Sequence, residues 1–387
     1  MTTNPPRGFA KAEFQKRLKR AQKLMEDAKL CALLLTTEPE IRYFTGFLTR
    51  FWESPTRPWF LIVPLHGDPI AVIPAIGAHL MSQTWISDIR TWRAPDYDDD
   101  GVGLLHATLV EICAPDVQIG IPDLMESHVR MPLSALRELE NQLKPREIVG
   151  DKGIVRRLRM IKSKPEIAKM AAACAIAQRA FARVDEIATV GVPLSQVFRR
   201  FQALCLEEGA DWVPYLAGAA GQNGYGDVIS PATDTPLAAG DVLMLDTGLV
   251  WDGYFSDFDR NFILGKPTSI YHSAHTKLME AINAGFAAAK PGAVISDLFH
   301  AMNDVVNSGT DGSDAGRLGH GVGMQLTEWP SLIKDDHTLL EPGMVLALEP
   351  SVVTGDDTLM VHEENIVITD TGARFLSDFQ PNALREL

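Results

Sequence analysis

Cysteine is scarce: Cys31, Cys113, Cys174 and Cys205 are the only four in 387 residues, with no CxxC pair and no framework spacing. That argues against a disulfide scaffold and leaves buried free thiols in a reducing compartment as the expected state. Long apolar runs are also missing. Stretches such as Phe60 to Val63 are far too short to span a bilayer. The first residues, Met1 to Arg7, lack the apolar core of a secretory signal. Positive charge is in deficit as well, with 36 Lys and Arg against 50 Asp and Glu for a net charge of −14, and no basic block interrupts that balance. Nucleic acid and anionic membranes are therefore poor partners. An acidic protein of the cytoplasm is the expectation.

What is present suffices for a substantial core. The chain is 46% hydrophobic, long enough for two domains or one large one. Phe14, Leu18, Ala21 and Met25 make an apolar stripe that predicts a helix over 10–29. Cys31 to Leu35 reads as a short buried strand, followed by a loop at 36–40. A strand pair is expected at Trp59 to Val63 and Ile70 to Ile73, turning through His66 to Pro69. A further strand at Val117 to Ile121 and a helix at Ser134 to Asn141 complete an α/β pattern. Asp96 to Asp100, between Pro95 and Gly101, reads as a solvated acidic loop. Pro165 opens a long helix expected to reach about Thr189. The domain junction belongs just before it, giving units 1–155 and 156–387. Within the second, Gly191 to Phe198 is echoed by Gly292 to Phe299, as a duplicated α+β half would produce.

The second unit centres on a stretch rich in carboxylates. An apolar run from Val242 ends at Asp246, and Asp252 and Gly253 then form a two-residue turn signal before Asp257 and Asp259. With that turn, Asp246 lies opposite Asp259 and Asp257 opposite Gly248. Strand alternation then puts Asp246, Asp257 and Asp259 on one face. Carboxylates buried among Leu, Met, Phe and Ile point to a metal. Downstream, His320 sits among glycines, Glu349 ends an apolar strand, and Glu363 and Glu364 precede another. Together these residues suit two divalent cations.

The order and spacing of Asp246, Asp257, His320 (in Gly319 to Gly321), Glu349 (before Pro350) and Glu363 resemble the pita-bread metallopeptidase family. That family includes methionine aminopeptidase, aminopeptidase P, prolidase and the metal-free creatinase. Ile41 to Phe47 is similar to the prolidase and creatinase branch. The resemblance implies an α+β pita-bread domain behind an N-terminal α/β creatinase-like domain. It also implies two metal ions bound by those five residues, with Mn, Fe, Co and Zn all compatible. Glu349 would double as the general base, taking a proton from a water acidified between the metals. The implied activity is Xaa-Pro dipeptidase or aminopeptidase hydrolysis of a C–N bond in a dipeptide or other small molecule, by a homodimer.

The chain also departs from the pattern. The peptidases carry two further histidines, and the corresponding neighbourhoods here read Asp227 to Ile229 and Leu326 to Trp329. Asp259 stands where they usually have Thr, as an extra metal ligand or a partner of Arg260. Trp212, Tyr215, Tyr225 and Trp329 are expected at the rim, where aromatics can hold a quaternary or sulfonium group. Glu328 to Pro330 resembles a segment of the family's dimethylsulfoniopropionate lyases. Tyr215, Thr327, Glu328 and Trp329 are thus candidate substrate contacts, and Arg50 or Arg57, in a Pro-rich loop with Trp52, is a candidate for a substrate carboxylate. Two alternatives follow: a hydrolase or lyase for a small betaine, creatine-like or sulfonium zwitterion, and a non-catalytic binding module.

Overall fold

The computed structural model describes residues 4–54, 57–307, 316–380 and 384–387. The chain divides into two compact units, Pro6–Arg159 and Met160–Leu387.

The first unit is α/β. Its strands are β1 (Leu30–Leu35), β2 (Phe60–Pro64), β3 (Ile70–Pro74), β4 (Asp88–Trp92), β5 (Gln118–Ile121) and β6 (Glu147–Gly150). They form one sheet in the order β4-β3-β2-β1-β5-β6. The β1-β2 and β2-β3 pairs are antiparallel, the β1-β5 pair parallel. Helix α1 (Lys11–Ala28) buries Phe14, Leu18, Ala21 and Met25, the stripe read from the sequence. The segment expected as a loop at 36–40 instead opens helix α2 (Glu38–Thr45). Thr37 and Glu40 close a capping box, Glu40 Oε2 accepting the Thr37 amide at 3.3 Å. That box satisfies amide donors the first turn would otherwise leave orphaned, so Pro39 stands inside the helix rather than ahead of it. Helices α3 (Ala78–Ser82), α4 (Val102–Ile112) and α5 (Leu133–Leu143) follow. Leu105, Leu109, Leu139 and Leu143 from α4 and α5 pack with Leu34, Ile62 and Val72 from the sheet.

A short helix, α6 (Ile154–Met160), leads to α7 (Lys164–Ala182). The latter starts on a Ser163–Glu166 capping box with Pro165 in its first turn. It ends earlier than the apolar pattern predicts. Arg183 leaves helical geometry and its guanidinium is drawn to Glu186 at 2.8 Å and Glu208 at 2.9 Å, leaving a 3₁₀ turn at Val184–Glu186. Helix α8 (Leu194–Glu207) then packs on a sheet built from β7 (Trp212–Gly221), β8 (Val242–Trp251), β9 (Tyr254–Phe255) and β10 (Phe258–Ile263). Helices α9 (Ser269–Ala288) and α10 (Ile295–Val306) precede a second sheet of β11 (Gly319–Gly321), β12 (Glu328–Ser331), β13 (Val345–Leu348), β16 (Glu364–Ile368) and β17 (Ala373–Phe375). A separate hairpin joins β14 (Ser351–Gly355) to β15 (Thr358–Val361), and β18 (Arg385–Glu386) adds to β10.

The sequence echo has a structural counterpart. Gly191 N–H donates to Leu237 O at 2.8 Å and Leu194 N–H to Thr235 O at 3.1 Å. In the second half, Gly292 N–H donates to Leu340 O at 2.8 Å and Ile295 N–H to Thr338 O at 2.9 Å. Each helix-to-helix turn is thus pinned to the segment that leads into the central strand of its own sheet. Two α+β halves with one wiring make up this unit. Among the described residues, no helix is long and apolar enough to cross a membrane.

Candidate metal centre

The hairpin of β8, β9 and β10 sets the first carboxylates. Asp252 and Gly253 take φ of 45° and 71°, both left-handed, as a type I′ turn requires. The register then pairs Asp246 with Asp259 and Thr247 with Phe258. Asp257 falls in the break between β9 and β10, where Asn365 of β16 holds its peptide: the Asp257 amide donates to Asn365 Oδ1 at 2.9 Å, and Asn365 Nδ2 donates to the Asp257 carbonyl. The hairpin of one half is thereby fixed to the sheet of the other.

From that second sheet come His320, Glu349 and Glu363. A Cβ on Gly319 would meet the Ala347 carbonyl at 2.3 Å, and one on Gly321 the Trp329 carbonyl at 2.5 Å. Glycine on both sides is what lets the strand carrying His320 pass between β12 and β13. His320 Nδ1 lies 2.9 Å from Gly321 O. A carbonyl only accepts, so Nδ1 carries the proton and Nε2 presents its lone pair. That lone pair faces Asp257 Oδ2 at 3.3 Å and Glu349 Oε2 at 3.8 Å. Ligating atoms of Asp257, His320 and Glu363 all lie within 4.8 Å of one another, and all three residues are buried.

Electrostatics show what this arrangement lacks. Burial, then repulsion from Asp246 and Glu349, holds the Asp257 carboxyl well above its ordinary range. Burial and the neighbouring carboxylates do the same to Glu363. Asp246 is pushed up to about 8 by burial and by Asp259, though its bonds to Tyr215 and Glu363 work the other way. Asp246 as a residue is half-buried, yet its Oδ1 is sealed from water without a hydrogen-bond partner, as is Glu363 Oε1. Buried carboxylate oxygens without donors are costly. A hard or borderline divalent cation would satisfy the Asp257 and Glu363 carboxylates and the imidazole lone pair together. The residues fit the group.

Behind the cluster lies a buried network. Asp259 Oδ1 accepts the Glu363 amide at 2.6 Å and lies 3.3 Å from His362 Nδ1, while Asn261 Nδ2 donates to Asp259 Oδ2 at 3.2 Å. His362 Nε2 is 3.1 Å from Glu364 Oε1. Burial opposes a charge on His362, but the Asp259 and Glu364 carboxylates outweigh it and raise its pKa. The expected Asp259–Arg260 ion pair does not form. Arg260 Nη2 pairs with Glu364 at 3.1 Å, and Asp259 accepts from Arg260 through its backbone carbonyl, at 2.6 Å, rather than its carboxylate. Strand alternation explains the correction, because neighbours in β10 point to opposite faces.

The remaining candidates separate. Tyr215 lies close enough to the cluster for burial and the Asp246, Glu363 and Asp257 carboxylates to raise its pKa. Thr327 Oγ1 lies 3.4 Å from Arg317 Nη2, and Arg317 Nε donates to Glu349 Oε1 at 3.0 Å. Glu328 is turned inward instead: it pairs with Lys162 at 3.1 Å and accepts the Met324 amide at 2.8 Å. Trp329 packs on the core with Nε1 donating to Thr338 at 3.3 Å. Tyr225 is a core residue too, its hydroxyl accepting the Val361 amide at 2.7 Å. Tyr225 thus takes no part in a rim, while Trp212, Tyr215 and Trp329 are half-buried. Arg50 and Arg57 belong to the first unit, where Arg50 lies 3.6 Å from Glu53 and Arg57 stacks over Phe51 at 5.3 Å. Arg317 and Asn365 escaped the sequence reading. A strand-end Arg beside a Gly-rich run and an Asn in an apolar strand carry no pattern of their own, although a polar residue in a buried strand is a reason to look.

Residues 168–370 match the profile of metallopeptidase family M24, and residues 17–161 that of the creatinase/prolidase N-terminal domain. Over 372 residues, 95% of each chain, the sequence is 28% identical to the probable dipeptidase PepE of Mycobacterium tuberculosis. It is 24% identical to the Xaa-Pro dipeptidase of Pyrococcus furiosus, covering 94% of this chain and 98% of that one. The crystal structure of dipeptidase PepE from Mycobacterium ulcerans superposes with a TM-score of 0.84 at 25% identity, covering 98% of this chain and 99% of the other.

Proposed function

The chain belongs to metallopeptidase family M24, and on that premise we propose that it hydrolyses the amide bond of Xaa-Pro dipeptides or similar small substrates. Asp246, Asp257, His320, Glu349 and Glu363 would hold two divalent ions, with Mn, Fe, Co and Zn all suited to this donor set. The observation that carries the reading is the buried cluster of Asp257, His320 and Glu363, whose ligating atoms lie within 4.8 Å of one another. When bound, such ions polarise the scissile carbonyl and acidify the attacking water.

The chain's own residues divide the remaining work. Glu349 is 22% exposed against 3% for His320 and 4% for Asp257, so it alone of these three opens toward solvent and substrate. That makes it the group to take the water's proton and return it to the leaving nitrogen. Tyr215 neighbours Asp246 and Glu363, and burial together with their charges raises its pKa. Asp227 and Thr327 occupy the neighbourhoods where peptidase relatives carry histidines, so this chain places its substrate with different groups. The zwitterion reading loses one of its four aromatics, since Tyr225 lies in the core. A cage of buried carboxylates has no use in a binding module. The resemblance further supports a homodimer and the composition a cytoplasmic setting, and sedimentation analysis tests the first.

An Xaa-Pro dipeptide panel, run on metal-stripped protein with and without added Mn²⁺ or Co²⁺, tests the activity. Metal-dependent proline release that Glu349→Gln abolishes is the expected result. No turnover of any member in either metal would overturn it.

A further inference from the structure

The two oxygens of Glu349 are engaged in different directions. Oε2 faces His320 Nε2 at 3.8 Å, and Oε1 accepts from Arg317 Nε at 3.0 Å. The same guanidinium reaches Thr327 Oγ1 through Nη2 at 3.4 Å, so it is held at a second point. Three buried cations of this unit are committed elsewhere: Lys162 to Glu328, Lys169 to Asp252 and Arg260 to Glu364. Arg317 is different, being 34% exposed and bonded to a carboxylate that opens onto the site. It precedes β11 and therefore shares a strand approach with His320, while Glu349 follows the neighbouring β13. Arg317 and Glu349 thus meet across the same pair of strands that sets the His320 imidazole.

We propose that Arg317 is a positioning residue for Glu349, holding Oε1 so that the carboxylate turns Oε2 toward the metal centre. A glutamate at a rim samples several rotamers and can swing into solvent or offer both oxygens at once. A charge-assisted bond to one oxygen removes that freedom and leaves the other fixed in direction. The inference rests on the metal-centre reading and needs no particular substrate.

Mn²⁺ titration of the metal-stripped chain by calorimetry tests it, using wild type, Arg317→Ala, Arg317→Lys, Glu349→Ala and the double variant Arg317→Ala/Glu349→Ala. Loss of a residue that orients a ligand weakens metal binding by roughly 10–100-fold. Arg317→Ala is expected to show such a loss, and Arg317→Lys to recover part of it. Once Glu349 is Ala, removing Arg317 should cost nothing further, because it acts through that carboxylate. Wild-type affinity in Arg317→Ala, or an equal loss in both backgrounds, overturns the proposal. A proline-dipeptide assay at saturating Mn²⁺ gives a second readout: kcat falls while KM holds. A raised KM with kcat unchanged would make Arg317 a substrate contact and overturn it too. A wild-type chain that binds no Mn²⁺ fails the metal reading itself and takes this inference with it.

Discussion

Asn365 grips the peptide of Asp257 from both sides, its Oδ1 accepting the amide at 2.9 Å and its Nδ2 donating to the carbonyl. A carboxylate in a strand break has no ladder partners for its backbone, and here one buried side chain supplies both. Cys174 Sγ adds a third contact to Oδ1 at 3.3 Å. Asn365→Ala would orphan a buried N–H and a buried C=O, at about 1–3 kcal/mol each. We expect a loss of about 2–6 kcal/mol in urea unfolding. Metal affinity should fall by roughly 10–100-fold, because Asp257 loses its fixed direction. Unchanged affinity in a folded variant would show that the peptide stays in place without the clamp.

The metal-free protein should lose stability as pH rises. Asp246 is raised to about 8, and Asp257 and Glu363 also lie well above their usual range, chiefly through burial. Carboxyls raised in the folded chain stabilise it in their protonated form. That contribution is complete below their unfolded pKa of about 4 and is lost as pH climbs through the folded values. Tm of the stripped chain should therefore fall between about pH 5 and 8, and the fall should be shallower in Asp246→Asn. Saturating Mn²⁺ should remove most of the slope, and binding at pH 7 should release protons, read from calorimetry in buffers of different ionisation heat. A stripped chain whose Tm rises over that window would contradict the account.

The parts legible in the sequence were those with a local signature. Asp252 and Gly253 set the turn, the turn set the register, and the register placed Asp246 against Asp259. Gly319 and Gly321 announced a close backbone approach around His320. The capping box at Thr37 and Glu40 was equally local, but Pro39 made the segment look like a loop. The bonds of Asn365 and Arg317 were not legible, because each joins segments from opposite ends of this unit or neighbouring strands, and only the folded chain brings them together. Glu328 and Trp329 misled for a related reason. With Pro330 they resemble a lyase segment, which suggests substrate contacts, yet Glu328 points to Lys162 and Trp329 packs on the core.

The tip of the carboxylate hairpin depends on a buried ion pair. Lys169 Nζ meets Asp252 Oδ2 with side chains 1% and 8% exposed, and the Asp252 amide donates to Asp211 at 2.6 Å. Asp252→Ala takes the carboxylate from a buried ammonium and places Ala in a left-handed turn position. Breaking such a pair costs about 3–5 kcal/mol. Chemical denaturation should show a loss of that size. Asp252→Asn combined with Lys169→Met should lose less, since it keeps a residue tolerant of positive φ and removes the stranded charge. Equal losses in the two would mean that neither the stranded charge nor the turn strain sets the cost.

Glu328 offers the sharpest separation of structure from substrate recognition. Its carboxylate pairs with Lys162 at 3.1 Å, with side chains 6% and 2% exposed, and accepts the amides of Met324 at 2.8 Å and Gln325 at 3.2 Å. A Cβ on Gly323 would meet the Glu328 carboxylate at 2.6 Å, so the turn is wrapped tightly around it. Every oxygen of Glu328 is therefore committed inside the protein. Glu328→Ala would strand Lys162 and two amides, and should cost about 3–5 kcal/mol. Glu328→Gln keeps the acceptor and should cost less. If the group serves only the fold, KM for an Xaa-Pro dipeptide should stay within about twofold in Glu328→Gln, because removing a substrate contact raises KM while removing a support lowers stability. A tenfold KM rise with wild-type Tm would return Glu328 to the substrate wall.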